Sequence, residues 1–154
     1  MLLKILSLVT LSVLFVLIFI GGYVSASGVG LSCPDWPLCP AGLLPSQEFI
    51  IEYIHRTVAA TTGVLVIATM IVAIKDSNIT KNVKLASIIA GSTVIIQIIL
   101  GAIVIFEKLY SLLVTLHLGI GIILFSMMLI VTLYSWKFSW RQKPVSKLEN
   151  STST

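Results

Sequence analysis

Glu52, His55 and Arg56 stand together in the run Glu-Tyr-Ile-His-Arg, and a second histidine, His117, lies in a later apolar stretch. An imidazole ligates metals, a carboxylate holds a proton or stabilises a cation, and a guanidinium pairs with carboxylates through a planar fork. Inside hydrocarbon all three are costly, and ionisable residues at membrane depth mark function by default. The chain has two histidines, and both fall in stretches apolar enough to cross a bilayer. Cys33 and Cys39 lie just upstream, in a segment rich in Gly, Pro and Ser.

The elements that must position these residues are helices in lipid. Of 154 residues, 57% are hydrophobic and only 10% are charged, against about 25% charged in soluble domains. So much apolar surface cannot be hidden in one water-facing core. Four runs, roughly Ile5 to Val24, Phe49 to Ile74, Leu85 to Phe106 and Leu112 to Trp136, each meet the requirement of about 20 residues for a spanning helix. Backbone groups must be satisfied within each span, which makes the spans α-helical. The expected architecture is an all-α membrane protein, a four-helix bundle over 1–136 with a polar tail at 137–154. Lys4, the first run and Ser25-Ala26-Ser27 also resemble a secretory signal. The run is longer than the usual signal core of about 7–15 residues, so a retained span is expected.

Lysines and arginines orient the bundle. Lys4, Lys75, Lys81, Lys84, Lys137, Arg141, Lys143 and Lys147 fall on one side, leaving Lys108 in a loop opposite and Arg56 within a span. The positive-inside rule then places both termini in the cytoplasm, in a multi-pass protein of the cell membrane. The net charge of +4 is this topology signal and calls for no nucleic-acid partner. The loop 25–47 becomes external, where a disulfide between Cys33 and Cys39 would persist. Pro34, Pro37, Pro40 and Pro45 forbid a regular helix there. Ser46 is the expected cap of the second span, with Glu48 in its first turn.

Depth then brings the histidines together. The second and fourth spans run in the same direction, and His55 and His117 lie roughly 9–14 Å below the helix starts. Two imidazoles at matched depth on parallel helices can face each other across a bundle core, where cofactor sites are built. Ala59, Thr62 and Gly63 follow His55 on its face, Gly121 follows His117 by one turn, and Gly91, Gly101 and Ala102 lie in the third span. Such residues leave room for a flat macrocycle, and they also simply let membrane helices approach. Axial ligation of a haem iron is the expected role of the pair; zinc wants about four ligands, which this set does not supply at one level. A short echo, Gly21-Gly22-Tyr23-Val24 against Gly101-Ala102-Ile103-Val104, suggests two hairpins that each donate one histidine. Glu52 and Arg56, at i and i+4, fit either an intrahelical ion pair or a role beside the macrocycle, with Arg56 holding a propionate or tuning Glu52.

The run Gly30-Leu31-Ser32-Cys33-Pro34-Asp35-Trp36-Pro37-Leu38-Cys39, followed by Glu52-x-x-His55-Arg56, resembles the haem A synthase family. So do Leu116-His117-Leu118 and Gln97 with Gly101. The resemblance covers about Gly21 to Ile130. It implies an oxidoreductase that converts the C8 methyl of haem O to the formyl of haem A for terminal oxidases. Successive hydroxylations would draw their oxygen from water. It implies that His55 and His117 ligate haem iron, that Glu52 is the catalytic carboxylate, and that Cys33 and Cys39 form the external disulfide. Haem b as cofactor, haem O as substrate, and haem O synthase and a quinone or other electron acceptor as partners follow from the same likeness.

The chain also departs from the family pattern. Typical members have eight spans in two fused halves, whereas this sequence resembles the compact, half-size archaeal type; a homo-oligomer is the expected way to restore two sites. Ser25 stands where the family tends to have an arginine, and Gly28-Val29-Gly30-Leu31 replaces the usual Gly-Ser-Gly-Leu. Three other readings compete. A b-type cytochrome would use the histidines and not Glu52, and a haem-binding assembly subunit would need no catalysis. A quinone-coupled thiol oxidase would want Cys-x-x-Cys pairs that are not present.

Overall fold

The computed structural model describes residues 1–33 and 49–141, with the side chains of 138–141 left aside. Within them the chain forms four helices: α1 Leu2–Ser27, α2 Ile50–Lys75, α3 Lys81–Phe106 and α4 Ser111–Arg141. The first three have 26 residues each, a length of about 39 Å. No proline interrupts them, and there is no strand among the described residues. All four are long and apolar enough to cross a membrane. The boundaries match the expected spans to within a few residues, and α2, expected from Phe49 to Ile74, runs from Ile50 to Lys75 with Phe49 as its cap residue. Ser46 and Glu48, expected to cap and open that helix, lie outside the described residues, as do Cys39, the loop prolines and the tail beyond Arg141. The acidic residue in the first turn of α2 is Glu52.

Each helix packs on its neighbours in a closed ring, α1 on α2, α2 on α3, α3 on α4 and α4 on α1. The contacts give the directions. On α1, Gly21 meets His55 and Thr10 meets Thr69 of α2. Ser7 of α1 meets Ser135 of α4. Gly101 and Gln97 of α3 meet His117 and Gly121 of α4. Neighbouring helices are therefore antiparallel, and α2 and α4 are parallel and diagonally opposite.

The ring is apolar outside and partly polar inside, the reverse of a water-soluble bundle. Large residues such as Phe15, Phe19, Val64, Ile99 and Leu133 face outward. Buried positions include Ser7, Thr10, Thr62, Thr69, Ser87, Thr132 and Ser135. Toward the chain termini, Ser7 and Ser135 hydroxyls lie 3.3 Å apart, Thr132 donates to the Ser7 carbonyl, and Thr10 and Thr69 hydroxyls lie 3.0 Å apart. Lipid offers helices little hydrophobic reason to associate, so small residues and interhelical hydroxyl bonds supply it. Above this belt sits a packed layer of Leu14, Val66, Ala90, Val94, Leu124 and Met128. This half of the bundle is closed, which leaves the half nearer the α1–α2 loop for the site.

Gly91 is the tightest close approach in that scaffold, because a Cβ there would fall on the Met70 side chain of α2. Gly91→Val is expected to destabilise the bundle by about 1–3 kcal/mol. A lower denaturation midpoint in detergent would register it; an unchanged midpoint would contradict this packing.

Candidate functional site

The loop end of the bundle is organised by Glu52. The chain leaves α1 through Gly28, whose φ of 74° suits a residue without Cβ. A turn from Val29 to Ser32 then folds it back over the start of α2. There the Glu52 carboxylate is buried, 2% exposed. Its Oε2 accepts hydrogen bonds from the Ser32 hydroxyl at 2.9 Å and the Cys33 N–H at 2.8 Å. Its Oε1 accepts from Arg56 Nη2, which also donates to the Cys33 carbonyl at 2.6 Å. The expected i,i+4 ion pair is present. It is also part of a latch that ties the incoming loop to α2, with the guanidinium fork bridging a side chain and a backbone carbonyl. Sequence spacing indicated the pair and gave no sign of the loop contacts, although Ser32 and Cys33 stand in the motif that supplies them.

A second contact closes the same end. The turn between α3 and α4 holds Lys108 and Leu109 at φ of 50° and 61°, a conformation that costs about 1–2 kcal/mol per residue without glycine. Leu109 packs so closely on Gly30 that a Cβ there would lie 3.1 Å from its Cδ1. The two loops thus meet over the bundle, and Gly30 is the residue that admits the contact.

One turn into the bundle from Glu52 lies His55, five residues after the start of α2, and His117 lies six after the start of α4. Both sit about 8–9 Å along their helices, a closer match than the sequence alone indicated. Each imidazole lies against a glycine of a neighbouring helix. A Cβ on Gly21 of α1 would stand 3.1 Å from His55 Cε1, and one on Gly101 of α3 would stand 3.4 Å from His117 Cε1. The short sequence echo therefore corresponds to a repeated contact, with one glycine–histidine pair in each antiparallel hairpin.

The polar atoms here are incompletely paired. His55 Nδ1, His117 Nδ1 and Gln97 Oε1 are buried without hydrogen-bond partners. Gln97 of α3 donates its Nε2 to the His117 carbonyl at 2.9 Å, and Gly121 leaves it room. An unpaired buried polar group costs about 1–3 kcal/mol, so three in one layer indicate a site built for something that engages them. Among the described residues no group of three or more His, Cys, Asp or Glu could hold a metal ion. Two imidazoles at matched depth, each against a glycine, suit instead a metal that carries its own equatorial ligands. The residues present therefore fit an axial bis-histidine haem.

Cys33 is fully buried, at the latch. Its expected partner Cys39, and with it the expected disulfide, lies outside the described residues. Glu52, Arg56 and Cys33 thus come together at the loop end, while His55, His117 and Gln97 form the layer beneath them.

Glu52→Ala would leave the Arg56 charge, the Ser32 hydroxyl and the Cys33 N–H without their carboxylate. Removing one partner of a buried pair costs about 3–5 kcal/mol, so limited proteolysis is expected to cut the α1–α2 loop much faster in the variant. Equal cleavage rates would rule out the latch.

A family model described as cytochrome oxidase assembly protein matches residues 45–153. The chain is 36% identical to a heme A synthase of Bacillus licheniformis, over 89% of this chain and 46% of that protein. It is 37% identical to one of Exiguobacterium sibiricum, over 81% and 43%, and 33% identical to one of Geobacillus kaustophilus, over 82% and 41%. The chain spans about half the length of the curated relatives it matches. With a family model over most of its length and relatives above 30% identity across four-fifths of it, the chain belongs to the haem A synthase family of cytochrome oxidase assembly proteins.

Proposed function

We propose that this protein is a haem A synthase, oxidising the C8 methyl of haem O to the formyl of haem A in the cell membrane, with both termini cytoplasmic. The observation that carries the reading is the pair of imidazoles at matched depth on parallel helices, each against a glycine and each with an unpartnered Nδ1. His55 and His117 would hold the iron from its two sides, and the bound haem would supply the redox chemistry. The same pair suits haem b as a resident cofactor and haem O as substrate.

The chain's own residues orient and enclose. The hydroxyl belt and the apolar layer above it keep water out from the terminal end. The latch fixes a carboxylate one turn from His55, on the same helix face. In this reading Glu52 stabilises positive charge developing at the methyl carbon as hydride equivalents leave, and it relays the protons released when water adds. Each hydroxylation sends an electron pair to an external acceptor of the quinone class. The second yields a geminal diol that loses water to give the aldehyde. Arg56 holds Glu52 in place and stands near enough to the loop end to meet a propionate. A Cys33–Cys39 disulfide belongs to this reading as a staple of the loop. A homo-oligomer and delivery of substrate by haem O synthase belong to it as well.

One observation favours a second reading. Both Glu52 oxygens are engaged by the loop, as they would be in a b-type cytochrome that needs only the imidazoles and uses the carboxylate structurally.

Co-expression with haem O synthase, followed by chromatography and mass analysis of the extracted pigment, separates the two. The synthase is expected to yield haem A with its hydroxylated intermediate, and Glu52→Gln to keep its haem while losing at least about a hundredfold in product. Haem B alone in the unaltered protein, or undiminished product in the variant, would contradict the proposal. His55→Ala and His117→Ala are each expected to abolish the low-spin spectrum; its survival in both would remove the ligand assignment. Cys33 and Cys39 both open to alkylation in non-reduced membranes would remove the staple.

A further inference from the structure

Gln97 is the one member of the buried layer that the proposed chemistry does not use. Its amide is fixed in orientation, because a carbonyl can accept only from nitrogen, and Nε2 lies 2.9 Å from the His117 carbonyl. Oε1 is therefore the end that is left over, buried and without a donor among the described residues. The position is held from two sides. The bond to His117 anchors the amide, and Gly121 provides its space, since a Cβ there would stand 2.8 Å from Nε2. Keeping a buried acceptor unpaired is unfavourable unless a donor arrives with the ligand.

Its level tells which part of a ligand it would meet. Gln97 precedes Gly101 by one turn on α3, and Gly121 follows His117 by one turn on α4. The amide thus lies between the levels of His117 and Gly121, within one turn, about 6 Å, of His117 on the side away from the loop end. The rim substituents of a porphyrin centred between the imidazoles would reach that level. The propionates of a bound haem, as carboxylates, would keep to the loop end, on the side of Arg56. The rim that reaches Gln97 is then the one opposite the propionates. In haem O that rim carries a single polar group, the hydroxyl on the carbon that joins the farnesyl chain to the ring. Haem B has a vinyl group there and no donor.

We propose that Gln97 Oε1 accepts a hydrogen bond from this hydroxyl and so selects hydroxyalkyl haems over haem B. The inference rests on the haem A synthase reading of the site and adds to it a specificity-determining residue. A site with a buried acceptor discriminates strongly against ligands lacking the donor, since the acceptor is then left unpaired.

The test isolates the hydroxyl from the farnesyl tail. The purified full chain is titrated with two iron porphyrins that differ only in carrying 1-hydroxyethyl or ethyl groups at the two non-propionate positions. Binding is followed by the low-spin absorbance of the bis-imidazole complex, independently of turnover. The ratio of the two affinities is expected to favour the hydroxyethyl haem and to fall about tenfold in Gln97→Met, while the ethyl haem still binds. Gly121→Ala, which pushes the amide from its seat while leaving Gln97 in place, is expected to lower the ratio in the same way and serves if Gln97→Met does not fold. An unchanged ratio in a variant that still gives the low-spin spectrum overturns the Gln97 assignment alone. Failure of the unaltered protein to give that spectrum with either haem overturns the histidine assignment and this inference with it.

Discussion

Two half-buried imidazoles in a membrane bundle, each with a buried Nδ1 that has no hydrogen-bond partner, are the constraint on which the rest of this structure depends. Hydrocarbon offers no water to satisfy them, so His55 Nδ1 and His117 Nδ1 weigh against the fold whenever nothing engages them. The bundle tolerates this because its other half is closed by hydroxyl bonds and a packed apolar layer. Stability is thus concentrated toward the termini, and the open layer toward the loops can be shaped for a ligand. The placement of the histidines on α2 and α4 follows from the ring order. Only diagonally opposite helices in an antiparallel ring are parallel, and only there do equal offsets from the helix starts give equal depth.

The Glu52 latch adds the second half of the arrangement. A carboxylate near a helix N-terminus is favoured by the dipole, yet Glu52 does more than complement its own helix. It receives the loop through Ser32 and Cys33 and is held by Arg56, so the chain at Ser32 and Cys33 is fixed to the helix that carries His55. Loop position and histidine position are therefore coupled through one residue.

Much of this was legible in the sequence, for identifiable reasons. The four spans could be read because apolar length is a strong signal, and the matched depth of His55 and His117 because rise per residue converts spacing into depth. The second span, expected from Phe49, begins at Ile50, while Ser46 and Glu48, which have the chemistry of a helix start, lie outside the described residues. Gly21 and Gly101 were noticed as an echo, but their contact with the histidine rings depends on helix rotation, which nearly uniform apolar sequence does not encode. The latch and the free oxygen of Gln97 depend on contacts between residues far apart in the chain. The hydroxyl belt left a faint trace, in Ser7 with Thr10 and Thr132 with Ser135 at three-residue spacing, which could have been read as an interhelical polar face.

The central claim is that His55 and His117 jointly ligate one haem iron. Low-temperature electron paramagnetic resonance of the ferric protein, purified from membranes with its haem in place, tests it most directly. The account predicts a low-spin signal of the kind given by two axial imidazoles, and no substantial high-spin component. A predominantly high-spin ferric signal would mean that at most one imidazole reaches the iron, and the pair on α2 and α4 would not be a haem site.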